Sequence, residues 1–259
     1  MSYRVGIDIG GTFTDMVFLT ANGEALTLKV PSTPDDYSRG IAEGLTAVFG
    51  GGAISAPAIA EVIHGTTIAT NAILERQGVK TGLITTHGFR DVLEIRRLRM
   101  PTLYDLTWQK PEPLASRANR AEVVERMDHK GGILTPLDDA SAGAAIEKLL
   151  ANGVEAVAVS LINAYANGAH ERRIGELIAE RAPDMPVCLS SQILPEIKEY
   201  ERTSTTVVNA YVRPVVGRYL HKLGERLKGA GYDGPVLIIL SPFVGAMITP
   251  PLAGVLPQS

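Results

Sequence analysis

Two strand-like runs at the start of the chain, residues 3–9 and 13–19, are separated only by Gly10-Gly11-Thr12. Three residues cannot carry a helical crossover, so the runs must pair antiparallel through a tight turn. Ala21-Asn22-Gly23 then turns the chain into a third run at 25–30, and the opening reads as an antiparallel β-meander. Downstream, short β-branched runs alternate with helical patterns, the sequence form of βαβ units with parallel strands. The fold class is therefore α/β, with a mixed sheet that opens in the meander.

The periodicity predicts helices over 35–49, 67–77, 171–180 and 203–228, and strands over 61–64, 79–85, 121–127, 154–161 and around Cys188. Another helix is expected to start at Thr135-Pro136-Leu137-Asp138, with Thr135 as its cap and Pro136 in the first turn. Ala144, Ala145, Ile146, Leu149 and Leu150 give it a buried face, and Asn152-Gly153 ends it. The run 154–161 is apolar apart from Glu155 and Ser160, as in a strand covered on both faces. Pro214 is expected to kink or divide the last helix. Residues 96–117, with Pro101, Pro111 and Pro113, lose periodicity and read as a long loop or inserted lobe.

Composition removes several classes of function. Lys and Arg number 25 against 28 Asp and Glu, for a net charge of −3, so there is no basic footprint for nucleic acid or an anionic membrane. Apolar stretches are strand-sized, and Met1-Ser2-Tyr3-Arg4 leads into a strand rather than a signal-peptide core, which makes the cytoplasm the default compartment. The single Cys188 leaves no intramolecular disulfide and no cysteine-based metal site. Its setting, Pro186-Val187-Cys188-Leu189, reads as a buried strand rather than a catalytic thiol.

Chemistry concentrates in Gly6-Ile7-Asp8-Ile9-Gly10-Gly11-Thr12-Phe13-Thr14-Asp15. Gly10 and Gly11 let the backbone approach a ligand closely, while the following N–H groups and the Thr12 and Thr14 hydroxyls supply donors for phosphate oxygens. Asp8, at the end of the first strand, could hold Mg²⁺ through water beside those phosphates. The segment is neither a Walker A loop nor a Rossmann fingerprint, because it lacks Gly-Lys-Ser/Thr and a strand follows it.

A second polar group is His64-Gly65-Thr66-Thr67, ahead of a helix whose Asn71 can share a face with Thr67. Two readings stand: a site lining the nucleotide or substrate cleft, or a capped helix whose His64 is a satisfied core residue. Asp8, His64 and Thr67 are the candidate catalytic residues. Thr85-Thr86-His87-Gly88 repeats the arrangement one strand later, but two histidines without a carboxylate partner are a weak metal signature. Arg90-Asp91, Glu94, Arg96-Arg97 and Arg99 read as an ion-paired helix face, and Glu196, Lys198, Glu199, Glu201 and Arg202 as a helix surface. Asp128-His129, followed by Lys130-Gly131-Gly132, reads as an exposed turn. No Gly-x-Ser-x-Gly elbow is present.

Residues 8–15 resemble the first phosphate motif of the actin/hexokinase/Hsp70 ATPase superfamily, whose lobes have a ribonuclease H-like fold. More narrowly, the chain resembles the hydantoinase/oxoprolinase A-subunit family. The motifs that carry this are residues 8–15, 64–76, 82–91, 125–128, Glu199-Tyr200-Glu201-Arg202 and Asn209-Ala210-Tyr211-Val212-Arg213-Pro214, over roughly residues 3–240. The family includes hydantoinases, 5-oxoprolinases, lactam hydrolases and the ATP-dependent carboxylases of acetone and acetophenone. The resemblance implies ATP and Mg²⁺ as cofactors and a small cyclic amide or ketone as substrate. It also implies a B-type subunit and a second ATP-binding lobe as partners, in a hetero- or homo-oligomer. On this basis residues 1–236 are expected to form the N-terminal domain and 237–259 an atypical Pro-rich tail, where a polar Gln-Ser-Asn-Gly-Gly-like segment would have continued toward the second lobe. The expected activity is amide activation by phosphorylation, with ketone carboxylation or a non-catalytic assembly role as alternatives.

Overall fold

The computed structural model describes residues 2–10, 12–33, 36–97, 105 and 107–240. In chain order the elements begin with β1 (Tyr3–Ile9), β2 (Phe13–Thr20), β3 (Ala25–Pro31), α1 (Tyr37–Gly50), β4 (Ile59–Thr66) and α2 (Ile68–Leu74). They continue with β5 (Thr81–Thr86), α3 (Val92–Ile95), β6 (Arg120–Val123), β7 (Arg126–Met127), β8 (Ile133–Thr135), α4 (Asp139–Ala151) and β9 (Ala156–Ser160). The last are α5 (Ala169–Arg181), β10 (Val187–Leu189), α6 (Ser190–Ile193), α7 (Glu199–Gly229) and β11 (Val236–Leu240). The described chain divides into two compact units, the first built from residues up to Arg76 and from Val215 onward, the second from Gln77–Pro214. The single N-terminal domain expected over 1–236 is thus two packing units, and α7 contributes to both.

The first unit holds a five-stranded sheet ordered β11-β4-β1-β2-β3. Strands β1, β2 and β3 pair antiparallel in the expected meander, while β4 runs parallel to β1 and β11 parallel to β4. Strict alternation sets the register of β2: Thr14, Met16, Phe18 and Thr20 are buried, and Phe13, Asp15, Val17 and Leu19 are exposed. A one-residue slip would reverse every one of these. Helix α1 covers the buried side with Ile41, Leu45 and Val48, and Gly44 lets it come close to Met16. Asp36 caps α1 by accepting from the Ser38 N–H at 3.2 Å. From Val215, α7 adds the stripe Val216, Leu220, Leu223 and Leu227, all buried at helical spacing.

The second unit holds a parallel four-stranded sheet, β10-β9-β5-β6, and a separate hairpin, β7-β8. All residues of β5 and β9 are buried, as expected for strands covered on both faces. Helices α4 and α5 supply Ile146, Leu149, Ile174, Leu177 and Ile178 to this core.

Four expectations change. The run 121–127 is two strands in different sheets, because the chain turns at Val124-Glu125 to bury the Glu125 side chain. Helix α4 is capped by Asp138, not Thr135; the Asp138 carboxylate accepts from the Ala140 and Ser141 N–H groups, and Thr135 lies in β8. Helix α7 is not divided at Pro214 and starts earlier than expected, at Glu199. The tail expected from residue 237 begins inside β11, whose Val236–Leu240 pair with β4, and residues 241–259 lie outside the described residues. Within 96–117, the described residues after Arg97 form no helix or strand before Arg117.

Gly78 sits against Tyr211, and the Val79 N–H donates to the Tyr211 carbonyl at 3.1 Å. A Cβ at residue 78 would stand 2.1 Å from the Tyr211 ring, whose side chain is buried. Gly78→Ala is therefore expected to destabilise the second unit by about 2 kcal/mol through overpacking, lowering Tm by about 4–8 °C in calorimetry.

Candidate functional site

The turn between β1 and β2 is held from outside. Gly10 N–H donates to the Phe13 carbonyl at 2.9 Å, and a Cβ on Gly10 would approach that oxygen to 3.0 Å, a tight contact that favours glycine there. Ser32, just past β3, fixes it from two directions: its hydroxyl donates to the Gly10 carbonyl at 2.7 Å and its N–H to the Thr12 carbonyl at 2.9 Å. Gly11 lies outside the described residues. Among the described residues, neither the N–H nor the exposed hydroxyl of Thr12 has a partner, so both remain for a ligand.

Asp8 is exposed at the end of β1. It stands directly opposite Asp15 in the antiparallel pair, an arrangement that costs energy between like charges. Lys29 answers Asp15 at 3.2 Å. Among the described residues no hydrogen bond or ion pair engages the Asp8 carboxylate, and on its other side Gly65 leaves room, since a Cβ there would lie 3.5 Å from Asp8 Oδ1. An unpaired carboxylate beside another carboxylate fits a hard cation held partly through water. No group of three or more His, Cys, Asp or Glu that could hold a metal by itself occurs among the described residues.

Two expected site residues are placed elsewhere. The turn does not present Thr14 to a ligand: it is fully buried, and its hydroxyl lies 3.1 Å from that of Ser32, so it braces the turn from inside the sheet. The alternation of β2 that exposes Asp15 forces Thr14 inward.

His64 is likewise buried, on the side of the sheet opposite Asp8. Its Nδ1 lies 3.4 Å from the Ile7 carbonyl, and its Nε2 accepts from the Tyr219 hydroxyl at 2.6 Å. Burial lowers its pKa to about 4, against small opposing contributions from the Ile7 carbonyl and Asp8. The burial and partners of His64 agree with the core reading, but the helix cap that belonged to that reading is not made by Thr67. Thr67 is exposed at the start of the seven-residue α2, and its side chain makes no cap bond.

The other motif residues serve the second unit. Thr86 donates to Glu125, which also pairs with His170 at 2.8 Å, and the Thr86 oxygen accepts from the Ile162 N–H at 2.9 Å. Glu171 accepts from the Leu161 and Ser191 N–H groups and from the Ser190 hydroxyl, while burial pushes its carboxyl above the usual range. Arg202, expected on a helix surface, is fully buried and donates to the Leu161 carbonyl at 2.7 Å. The run from Arg90 is ion-paired only in part and forms just the four-residue α3: Asp91 pairs with Arg117, Glu94 with Arg120 and Lys110, and Arg97 with Glu201, while Arg96 donates to the Tyr200 hydroxyl and the buried Arg90 Nε has no partner among the described residues. Arg99 lies outside the described residues. Asp128 accepts from the Lys130 and Gly132 N–H groups in the expected turn. His87 is exposed after β5, in the second unit. Cys188 is buried and its thiol is pushed up by burial, against a catalytic role.

Residues 4–182 match the family described as the hydantoinase/oxoprolinase N-terminal region. The chain belongs to this family. The caprolactamase subunit alpha of Pseudomonas jessenii is 39% identical over 239 residues, which are 90% of this chain and 34% of that protein. The acetophenone carboxylase gamma subunit of Aromatoleum aromaticum is 35% identical over 255 residues, 91% of this chain and 34% of that protein. The crystal structure of the ATP-dependent caprolactamase from Pseudomonas jessenii superimposes with a TM-score of 0.83 at 37% identity, covering 91% of this chain and 35% of that chain. The hydantoinase/oxoprolinase chain thus has the mixed-sheet α/β fold of that solved enzyme, consistent with an actin-like lobe, and spans about a third of the length of the relatives it matches. Among the described residues no helix is long and apolar enough to cross a membrane.

The buried neutral His64 makes stability depend on pH. Its folded pKa of about 4 lies below the unfolded value of 6.5, so the unfolded state binds the proton first. The contribution is full above pH 6.5 and is lost as pH falls from there toward 4. Urea titrations at pH 7 and pH 5 should differ by about 2 kcal/mol from this group, and His64→Gln should remove most of that difference.

Proposed function

We propose that this chain is the N-terminal, phosphate-binding lobe of an ATP-dependent enzyme that hydrolyses cyclic amides. The observation that carries the reading is the exposed, unpaired Asp8 beside a turn that Ser32 pins open at Gly10 and Thr12. Bound Mg-ATP would supply a phosphoryl group that converts an unreactive amide oxygen into a leaving group. In this chain the Thr12 N–H and hydroxyl would hold phosphate oxygens, Gly10 would shape the turn with its own N–H given to Phe13, and Asp8 would hold the cation through water. Their role is to position the phosphates and balance developing charge, which needs donors fixed before the ligand arrives.

The similarity to an ATP-dependent caprolactamase supports amide activation, and the similarity to an acetophenone carboxylase subunit supports the alternative, activation of a ketone for carboxylation. Both relatives named above are subunits, which supports working with other chains: a second ATP-binding lobe and a B-type subunit. A cytoplasmic setting belongs to the same proposal.

Nucleotide binding tests the lobe directly. Mg-ATP should raise the Tm of the full chain; Asp8→Asn should weaken the Mg²⁺-dependent part about tenfold, about 1.4 kcal/mol. Gly10→Val, which drives a side chain at the Phe13 carbonyl, should abolish the shift. Unchanged Mg-ATP shifts in both variants overturn the assignment. A panel of hydantoins, lactams, 5-oxoproline and aryl ketones, assayed with partner subunits present, separates hydrolase from carboxylase.

A further inference from the structure

The first unit contains a cavity of about 270 Å³ lined by α1, α2 and α7. It opens to the surface and is on the scale of a small-metabolite site. Some of its polar groups are already engaged. The Asp36 carboxylate takes the Ser38 hydroxyl and Arg226, both at 2.5 Å, and the Tyr219 hydroxyl is given to His64. The remainder are not. Asn71 on α2 and Glu75, the residue just past its end, line one side, and Arg218 and Lys222, four apart on α7, line another. Among the described residues none of these four side chains has a hydrogen bond or ion pair.

Two cations four apart on a helix repel, and a carboxylate within reach normally relieves them. Of the two carboxylates in the lining, Asp36 is taken by Arg226, and Glu75, just past α2, pairs with neither Arg218 nor Lys222 among the described residues. Opposite charges that line one small cavity without neutralising each other suit a ligand that carries both signs. Tyr37, Ile68 and Val215 complete the lining with apolar surface suited to a short carbon chain.

We propose that this cavity binds a small zwitterionic molecule, an aliphatic ω-amino acid in chemical class. Its carboxylate lies on Arg218 and Lys222, its ammonium on Glu75 and Asn71, and its methylenes on Tyr37, Ile68 and Val215. The site is separate from the phosphate turn and needs no nucleotide, so its failure and that of the ATP assignment are distinguishable.

The probe is 5-aminopentanoate, titrated calorimetrically into the full chain without nucleotide, with pentanoate and pentylamine as single-charge controls. The zwitterion should bind about tenfold more tightly than either control. The double variant Arg218→Ala/Lys222→Ala should weaken the zwitterion and pentanoate about tenfold and leave pentylamine unchanged. Glu75→Gln should weaken the zwitterion and pentylamine about fivefold and leave pentanoate unchanged. Arg218, Lys222 and Glu75 are exposed and unpaired among the described residues, so the variants should keep the parent Tm, which is measured alongside. No heat with millimolar 5-aminopentanoate, equal binding of the three probes, or zwitterion binding unaffected by either variant overturns the proposal.

Discussion

Ser32 reaches back twenty-two residues to hold the carbonyl of Gly10, and that contact decides what the first unit can present. A turn of Gly10-Gly11-Thr12 left to itself has many conformations, because glycine has the largest backbone freedom to lose. Two bonds from Ser32, one to each side of the turn, remove that freedom in the folded protein. The Thr14 hydroxyl, buried beneath, meets the Ser32 hydroxyl at 3.1 Å and fixes where Ser32 can point. The donors on Thr12 and the carboxylate of Asp8 are then set by the sheet rather than by a ligand, which is the condition for binding phosphate without a large ordering cost.

The second unit uses polar groups differently. Glu125, Glu171 and Arg202 are all buried, and each is tied to backbone or neighbouring side chains at element ends: Glu171 to the Leu161 and Ser191 N–H groups, Arg202 to the Leu161 carbonyl, Glu125 to Thr86 and His170. Burying such groups costs several kcal/mol each unless they are bonded, so these contacts hold the loops after β5 and β9 in one conformation. The motifs around residues 125 and 202 thereby serve the architecture of this unit.

Much of the first unit was legible because its signals are local. Three residues between β1 and β2 admit only a hairpin, and the alternation along β2 follows from its period. The same alternation, applied one step further, places Thr14 opposite Asp15 and so inside, which the hydroxyl's chemistry alone conceals. Ser32 was not legible: a lone serine after a strand carries no pattern, and its role exists only once β3 has returned it to the turn. His64 was ambiguous for a related reason, since its partner Tyr219 lies 155 residues away and spacing cannot report it. In α4 the expected cap Thr135 is replaced by Asp138, three residues on, whose carboxylate reaches two N–H groups. The strand expected at 121–127 failed because a buried glutamate breaks it, and a charged residue in an apolar run reads as exposed until its partners are known.

The first unit leaves a few charges unpaired among the described residues. Most of its ionic groups are answered: Arg4 by Glu61, Lys29 by Asp15, Arg226 by Asp36. Against that background Asp8 stands out, because it faces Asp15 and no cation within the described residues comes to it. Surface pairs are worth little individually, so an unanswered surface charge is ordinary when it points to water. Asp8 differs in position: it lies beside a turn whose remaining N–H and hydroxyl donors would gather anions, and a phosphate placed there would add to the negative charge already shared by Asp8 and Asp15. Phosphate alone is therefore disfavoured at this turn, and phosphate with a divalent cation is favoured, since the cation is attracted by all three. On the proposed reading of the turn as a phosphate cradle, the same residues would favour the metal-bound nucleotide over the free one.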